Sequence, residues 1–240
     1  MKGTASLLQR NDWDVAAYNY RFCTEDINLQ LRMYHSGATD DLDTVVQHYK
    51  DHYDEIALVG FSLGGNLVLK YAGENGKSID SKISKVIALS VPVDLGAGSI
   101  NISKVHNYIY QKNFLTSLTK KIKAKHQQYP NDIDLSLLKK VKTLFDFDNI
   151  YTGPVHGFND AWDYYTQCSS KQFIRDINIP CLIVNAQDDP FLPEECYPYQ
   201  EAKDNKLVHL LVPKYGGHVG FVTSREHYWD EEVINHFLSN

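Results

Sequence analysis

The sequence predicts an α/β fold in which a mostly parallel sheet is flanked by helices and interrupted by a helical cap insertion. Short apolar runs alternate with amphipathic stretches, as in repeated strand–helix units. The apolar runs are rich in Val, Ile, Leu and Ala, which is typical of strands buried on both faces of a parallel sheet. Residues 94–170 depart from this pattern, because they contain no convincing strand. The predicted strands are Trp13–Tyr20, Ile56–Gly60, Val86–Val91, Cys181–Ala186 and Leu207–Val212.

Apolar periodicity predicts helices between these strands. In Asp40–Tyr53 the apolar residues recur at helical spacing, and Leu63–Glu74 follows a predicted strand directly. Tyr228–Leu238 closes the chain with its apolar side chains on one face. Within the strandless segment, Asn101–Lys125 and Asp134–Leu144 have helical patterns, so we expect this segment to form a cap over one edge of the sheet.

The predicted organisation is one α/β core into which the cap is inserted. Residues 1–93 are expected to form the N-terminal part of the core, residues 94–170 the cap, and residues 171–240 the C-terminal part. A length of 240 residues suits one domain that carries an insertion.

Composition and charge argue against several classes of protein. Hydrophobic residues make up 43% of the chain and charged residues 22%, as in ordinary soluble domains. A net charge of -6 repels phosphate backbones, so no nucleic-acid partner is expected. The lysines that cluster between Lys112 and Lys142 are interpreted as a solvated helical face rather than a binding patch. No apolar run suits a signal peptide or a membrane span, and the cysteines form no C-x-x-C pair, which predicts a cytoplasmic protein with unpaired thiols.

A G-x-S-x-G motif, formed by Gly60, Ser62 and Gly64, directly follows the predicted strand Ile56–Gly60 and precedes a helix. In this context a sharp turn holds the serine hydroxyl above the carboxyl edge of the sheet. The backbone N–H of Leu63, at the helix N-terminus, then faces the reacting oxygen as an oxyanion donor. The alternative is a glycine-rich turn with a structural serine, but the strand and the helix around the motif favour a nucleophile.

A serine nucleophile needs a base and a carboxylate that orients the base, in the chain order Ser, Asp or Glu, His. The strand Cys181–Ala186 ends in two adjacent carboxylates, Asp188 and Asp189. Either could serve, and both could instead belong to a turn. Asp189 is preferred because Pro193 follows it by four positions, and serine hydrolases with this α/β fold often have an Asp followed by a proline at that spacing.

The histidines differ in context. His218 lies in a glycine-flanked loop after the last predicted strand, which is where the base is expected. His35 and Asp40 form an H-x-x-x-x-D pattern that some acyltransferases use, although two residues at a fixed spacing often occur by chance. His156 could line a pocket or pack under the cap.

Six motifs spread along nearly the whole chain are together specific for one family. They are Tyr18-Asn19-Tyr20-Arg21, Tyr34-His35-Ser36-Gly37, Gly60-Phe61-Ser62-Leu63-Gly64-Gly65-Asn66, Ser90-Val91-Pro92-Val93-Asp94-Leu95, Asp188-Asp189-Pro190-Phe191 and Gly216-Gly217-His218-Val219-Gly220-Phe221. With these residues the chain resembles the bacterial YheT-like hydrolases, the embryogenesis-associated EMB8 proteins and the mammalian ABHD1, ABHD2 and ABHD3 group.

The resemblance implies an α/β-hydrolase fold with a helical cap and a catalytic triad of Ser62, Asp189 and His218. It also implies carboxylic esters as substrates, with short- to medium-chain acyl esters or lipid esters favoured. Members of the family carry a His-Gly-rich loop after the third strand, which supplies a second oxyanion donor. Here Trp13–Tyr20 corresponds to the fourth strand, so the first three strands and that loop are expected to be missing. Loss of one such donor typically costs about 10²–10³ in turnover.

The expected activity is therefore that of a serine carboxylesterase or lipase-like hydrolase that forms an acyl-enzyme on Ser62. Neither a metal nor an organic cofactor is required, and the partner is a small-molecule or lipid ester. Three alternatives remain: acyl transfer to an alcohol or thiol, a binding protein without turnover, and a structural fragment that self-associates through unpaired sheet edges.

Overall fold

A parallel sheet forms the centre of the computed structural model, which describes residues 2–24, 27–224 and 228–240. Within these residues the sheet has four strands in the order β1-β2-β3-β4, and every neighbouring pair is parallel. Their carboxyl ends therefore share one edge of the sheet. The α/β class with a parallel, helix-flanked sheet is confirmed. The strands are β1 (Ile56–Phe61), β2 (Ile83–Leu89), β3 (Cys181–Val184) and β4 (Val208–Leu211).

Alternating side chains of β2 and β3 enter two separate cores, because successive residues of a strand point to opposite faces. Val86, Ala88, Cys181 and Ile183 belong to the larger core on one face of the sheet. The residues that alternate with them belong to the smaller core on the other face: Ile87, Leu89, Leu182 and Val184. Burial on both faces explains why these strands appear in the sequence as nearly continuous apolar runs.

Helices cover both faces of the sheet. Apolar side chains of α2 (Thr39–Tyr49) and α3 (Leu63–Asn75) enter the larger core. The terminal helices α1 (Lys2–Arg10) and α10 (Trp229–Ser239) pack on the smaller core. The helices predicted at 40–53, 63–74 and 228–238 are thereby confirmed, although the first ends four residues earlier than predicted.

Between β2 and β3 the chain forms helices and irregular segments. The predicted helix Asn101–Lys125 is wrong as one element, since a 3-10 turn over Val105–Asn107 separates α4 (Leu95–Ile102) from α5 (Tyr108–Gln128). The stretch predicted as Asp134–Leu144 is a 3-10 helix, Leu135–Lys140, and a Thr143 capping box then starts a new helix. The boundaries of the cap stay a prediction. The helices of this segment are α4 (Leu95–Ile102), α5 (Tyr108–Gln128), α6 (Leu144–Phe147), α7 (Gly153–Val155) and α8 (Ala161–Cys168), and α9 (Tyr199–Asp204) follows β3.

The predicted strand Trp13–Tyr20 is wrong, because this segment has no regular secondary structure. Its apolar side chains are nevertheless used: Trp13 and Val15 pack against the smaller core, while Tyr18 and Tyr20 pack against the larger one. A strand also needs backbone hydrogen bonds to a neighbour, and no described strand pairs with this segment. The apolar pattern of this segment therefore indicates partly buried side chains and not a hydrogen-bonded strand.

A buried amide, Asn66 of α3, connects the end of α8 to the core. Its Nδ2 donates hydrogen bonds to the carbonyl oxygens of Ser36 (3.0 Å) and Cys168 (2.8 Å), and its Oδ1 accepts one from the N–H of Ser170 (2.8 Å). Tyr164 reinforces the connection through its hydroxyl, 2.7 Å from the Ser36 Oγ. None of the described helices combines the length and the apolar composition needed to cross a membrane.

Candidate active site

Ser62 occupies the turn between β1 and α3 with a strained backbone. Its φ of 53° is in the left-handed region that non-glycine residues rarely adopt. The turn is held by a hydrogen bond from the Ser62 N–H to the Leu89 carbonyl of β2, at 2.8 Å. Gly60 must lack a side chain, because a Cβ there would overlap the backbone carbonyl of Gly64. This tight crossing of strand and helix lifts Ser62 to the carboxyl edge of the sheet.

His218 connects Ser62 to a carboxylate. Its Nε2 lies 3.0 Å from the Ser62 Oγ, and its Nδ1 lies 2.8 Å from the Asp189 Oδ2. The Asp189 side chain is fully buried, whereas the His218 ring keeps some contact with solvent. The three side chains, which lie far apart in the sequence, therefore form one continuous hydrogen-bonded chain.

The two adjacent carboxylates have different partners. Asp189 accepts the His218 bond and also the N–H of Phe191, at 2.9 Å to its Oδ1. Asp188 is exposed, and its Oδ1 accepts the N–H of Gly217 at 2.8 Å. Asp188 therefore supports the loop that carries His218 without touching the imidazole ring.

Ser90 and Phe191 position His218, and sequence reasoning assigned neither a role. The buried hydroxyl of Ser90, just beyond β2, accepts the N–H of Val219 at 3.0 Å. Both Ser90 (φ 50°) and Val219 (φ 56°) are in the left-handed region. The Phe191 ring lies 4.4 Å from the His218 ring, centroid to centroid. Ser90 and Phe191 lie within quoted motifs, but only the folded chain brings them to the histidine.

The N-terminus of α3 is directed at the same place. Leu63 is the first residue of the helix, so its N–H has no acceptor within the helix. The partial positive charge of the helix N-terminus adds to this donor. An oxygen that develops negative charge beside Ser62 would therefore face the Leu63 N–H, the oxyanion donor expected from the sequence.

His35 and Asp40 form hydrogen bonds with different partners. Asp40 forms an ion pair with Arg32, with its Oδ2 2.7 Å from the Nη1, and this arginine lowers the pKa of the carboxyl. The His35 Nδ1 accepts the N–H of Gly37 at 3.2 Å instead. Burial, with a contribution from His156, lowers the pKa of His35 to about 3, so its imidazole is neutral.

His156 is half-buried and packs against His35 and Met33. Its ring lies 4.7 Å from the His35 ring, and its Nε2 lies 3.1 Å from both the N–H and the carbonyl oxygen of Met33. Its Nδ1 lies 2.7 Å from the Thr152 carbonyl. Burial lowers the pKa of His156, which suits a structural imidazole.

Aromatic side chains of α5 lie beside the hydrogen-bonded chain. Tyr110 and Phe114 contact Phe191, with ring centroids 4.9 and 6.0 Å away. Because Phe191 itself packs on His218, an apolar surface extends from the imidazole to α5. A separate groove of about 540 Å³ lies between α4, α8 and the start of the C-terminal core. Neither Ser62 nor His218 lines that groove.

A strained serine at a strand–helix turn, followed in the chain by an aspartate and a histidine after later strands, defines an α/β-hydrolase. Residues 2–224 match the family model described as the alpha/beta hydrolase fold. The chain therefore belongs to the α/β-hydrolase family.

Comparison with individual proteins confirms the resemblance made from the motifs. The chain is 32% identical over 224 residues to YheT of Escherichia coli (strain K12), covering 92% of this chain and 65% of that protein. It is 30% identical over 227 residues to the phospholipase ABHD3 of Bos taurus, covering 92% of this chain and 55% of the relative. The chain thus spans less than two thirds of the length of these relatives.

A solved esterase structure from Pyrococcus furiosus superposes with a TM-score of 0.62 at 16% identity, covering 100% of this chain and 74% of that one. At this identity the similarity supports the fold and nothing finer. It is consistent with the parallel sheet and the flanking helices described above.

Proposed function

We propose that this chain is a serine hydrolase that cleaves carboxylic esters through an acyl-enzyme on Ser62. The observation that carries the proposal is the single imidazole of His218, within hydrogen-bond distance of both the Ser62 hydroxyl and the buried Asp189 carboxylate. A serine hydroxyl is a weak nucleophile on its own and requires such a base.

In the proposed mechanism the Nδ1–H of His218 donates a hydrogen bond to the Asp189 carboxylate, which leaves Nε2 free to accept the Ser62 proton. As the proton moves, the Ser62 Oγ attacks the ester carbonyl, and the resulting oxyanion is stabilised by the Leu63 N–H. His218 then returns its proton to the departing alcohol, and an acyl-enzyme remains. His218 then takes a proton from water, which attacks the acyl carbonyl; as the Ser62 Oγ–acyl bond breaks, His218 returns that proton to the Oγ and the acid is released.

Short- to medium-chain acyl esters or lipid esters are the proposed substrates. The apolar surface of Tyr110, Phe114 and Phe191 beside His218 suits an acyl chain rather than a charged group. The name of the relative ABHD3, a phospholipase, supports an ester of a lipid.

A fluorophosphonate probe tests for an activated serine directly. We expect the wild-type chain to form an adduct at Ser62, located by mass spectrometry, and expect Ser62→Ala and His218→Ala to form none. A matched control is His156→Ala, since this half-buried histidine lies outside the hydrogen-bonded chain of Ser62, His218 and Asp189, and the variant should leave labelling intact in folded protein. If folded wild-type protein forms no adduct, or forms it on another residue, the proposed nucleophile is wrong.

A further inference from the structure

A group of apolar side chains at the start of α5 projects into solvent. Val105 is 92% exposed, Ile109 is 72% exposed and Tyr108 is 58% exposed. Soluble proteins seldom expose neighbouring large apolar side chains to this degree without a partner. These three residues form the apolar tip of α5.

The formally charged side chains in the segment around the tip are all positive. Residues 95–131 contain six lysines and neither aspartate nor glutamate, in a protein whose net charge is -6. Lys121 and Lys125 turn inward to the carbonyl oxygens of Phe22 and Gln30. The other four are exposed, and none of them pairs with an acid in the described part of the chain: Lys104, Lys112, Lys120 and Lys123.

Helical geometry aligns the exposed lysines with the tip. At 100° per residue, Lys112, Lys120 and Lys123 lie within about 80° of one another and of Ile109 on the helical wheel. The outer face of α5 is therefore apolar at its N-terminal end and basic along the rest of its length. A purely solvated face, which the lysines alone favoured, would not need the apolar end.

We propose that this outer face of α5 docks on the surface of an anionic phospholipid bilayer. The apolar tip would enter the headgroup region, where the amphipathic ring of Tyr108 is favoured. The lysines would meet lipid phosphates, and each basic residue close to an anionic surface strengthens binding about fivefold.

The charge pattern favours a bilayer over a second copy of the chain. In a two-fold symmetric dimer the same patch faces itself, so the lysines of one α5 would meet those of the other. The tip also projects outward, since Val105 is almost completely exposed. A projecting apolar side chain suits insertion into a fluid interface.

The docking face adjoins the candidate active site. Tyr110, next to the tip in the sequence, contacts Phe191, whose ring covers His218. A lipid ester that leaves the bilayer at α5 would thus be one aromatic layer from the imidazole. This link to catalysis rests on the proposed function, whereas the docking itself does not.

Vesicle co-sedimentation with the full chain tests the docking. We expect binding to vesicles that contain phosphatidylglycerol, weakening as salt increases, and little binding to phosphatidylcholine alone. K112Q/K120Q should weaken binding about 25-fold from two lost lysines. The matched control K203Q/K206Q, which removes the same charge from exposed lysines outside the cap, should change it less than about twofold.

A second pair of variants tests the apolar tip. Ile109→Ser should weaken binding roughly tenfold, whereas Leu29→Ser, at a residue 87% exposed outside α5, should have no effect. Equal losses in the α5 variants and their controls would overturn the proposal, as would absence of binding to anionic vesicles. A dimer in solution that Ile109→Ser dissociates would assign the face to a second copy instead. Because Ser62→Ala should bind vesicles normally, failure of docking is distinguishable from failure of catalysis.

Discussion

Asp189 and Asp188 are adjacent carboxylates, and their different partners predict losses of very different size for the same substitution. In Asp189→Asn the single amide oxygen cannot accept both the Phe191 N–H and the His218 Nδ1–H, which the two carboxylate oxygens now serve. The amide N–H₂ then faces Nδ1 and favours the imidazole tautomer with its proton on Nε2. That tautomer cannot accept the Ser62 proton.

The expected loss is large because it removes the base rather than weakening it. Substitutions of this type lower kcat by about 10⁴, which corresponds to about 5.5 kcal/mol in the activation barrier. In Asp188→Asn the amide oxygen can still accept the Gly217 N–H, so the loop stays in place. We expect kcat to fall by less than about tenfold there.

We would measure kcat for each variant from initial rates with a p-nitrophenyl ester. Circular-dichroism melting curves would show that each variant is folded. A separation of about three orders of magnitude between the two folded variants is the expected result. Equal losses, or a larger loss in Asp188→Asn, would refute the assignment of Asp189 as the orienting acid.

The remaining predictions concern the strained turn at Ser62, the buried amide of Asn66 and the carboxyl of Asp148. Ser62→Gly should be about 1 kcal/mol more stable to urea than Ser62→Ala, since glycine tolerates the positive φ of this position. Gly60→Ala should destabilise the fold by more than about 3 kcal/mol through backbone overlap, whereas Gly64→Ala, whose nearest new contact is at 3.4 Å, should change stability by less than about 1 kcal/mol. Asn66→Ala should cost about 3 kcal/mol in urea unfolding, because three buried backbone groups lose their partner. Burial raises the pKa of Asp148 to about 6 from its ordinary 3.8. The folded state therefore binds this proton more tightly, and the stability it contributes below about pH 4 should be lost as pH rises through about 6. Melting curves of Asp148→Asn should show a smaller loss across that window.

Local signals were sufficient for the four described strands and for the turn at Ser62. The runs that became β2 and β3 are apolar on both faces because each lies between two cores, so composition alone identified them. The turn at Ser62 could be predicted because Gly60, the glycine that its close packing requires, lies two residues before the serine.

Tertiary information was required elsewhere. Trp13–Tyr20 has the composition of a strand, but a ladder depends on a neighbour that the segment's own residues cannot specify. The spacing to Pro193 favoured Asp189 over Asp188, but which of the two carboxylates faces His218 is decided by the folded turn. In the folded chain the Phe191 N–H holds Asp189 towards His218.

Strained backbone is found around the candidate active site. Of the six non-glycine residues with positive φ in the described chain, four lie at the carboxyl edge of the sheet or in the loop of His218, and the other two are Asp12 and Phe22. The four are Ser62, Ser90, Val219 and Phe221. For a β-branched residue such as Val219 this conformation is costly, and it persists only where surrounding contacts enforce it. Here the enforcing contacts are the bonds that position His218, including the one from Val219 to the Ser90 hydroxyl. A fold that needed only stability could relieve this strain with glycine, so its concentration around one imidazole favours a site that holds reactive groups in a fixed geometry.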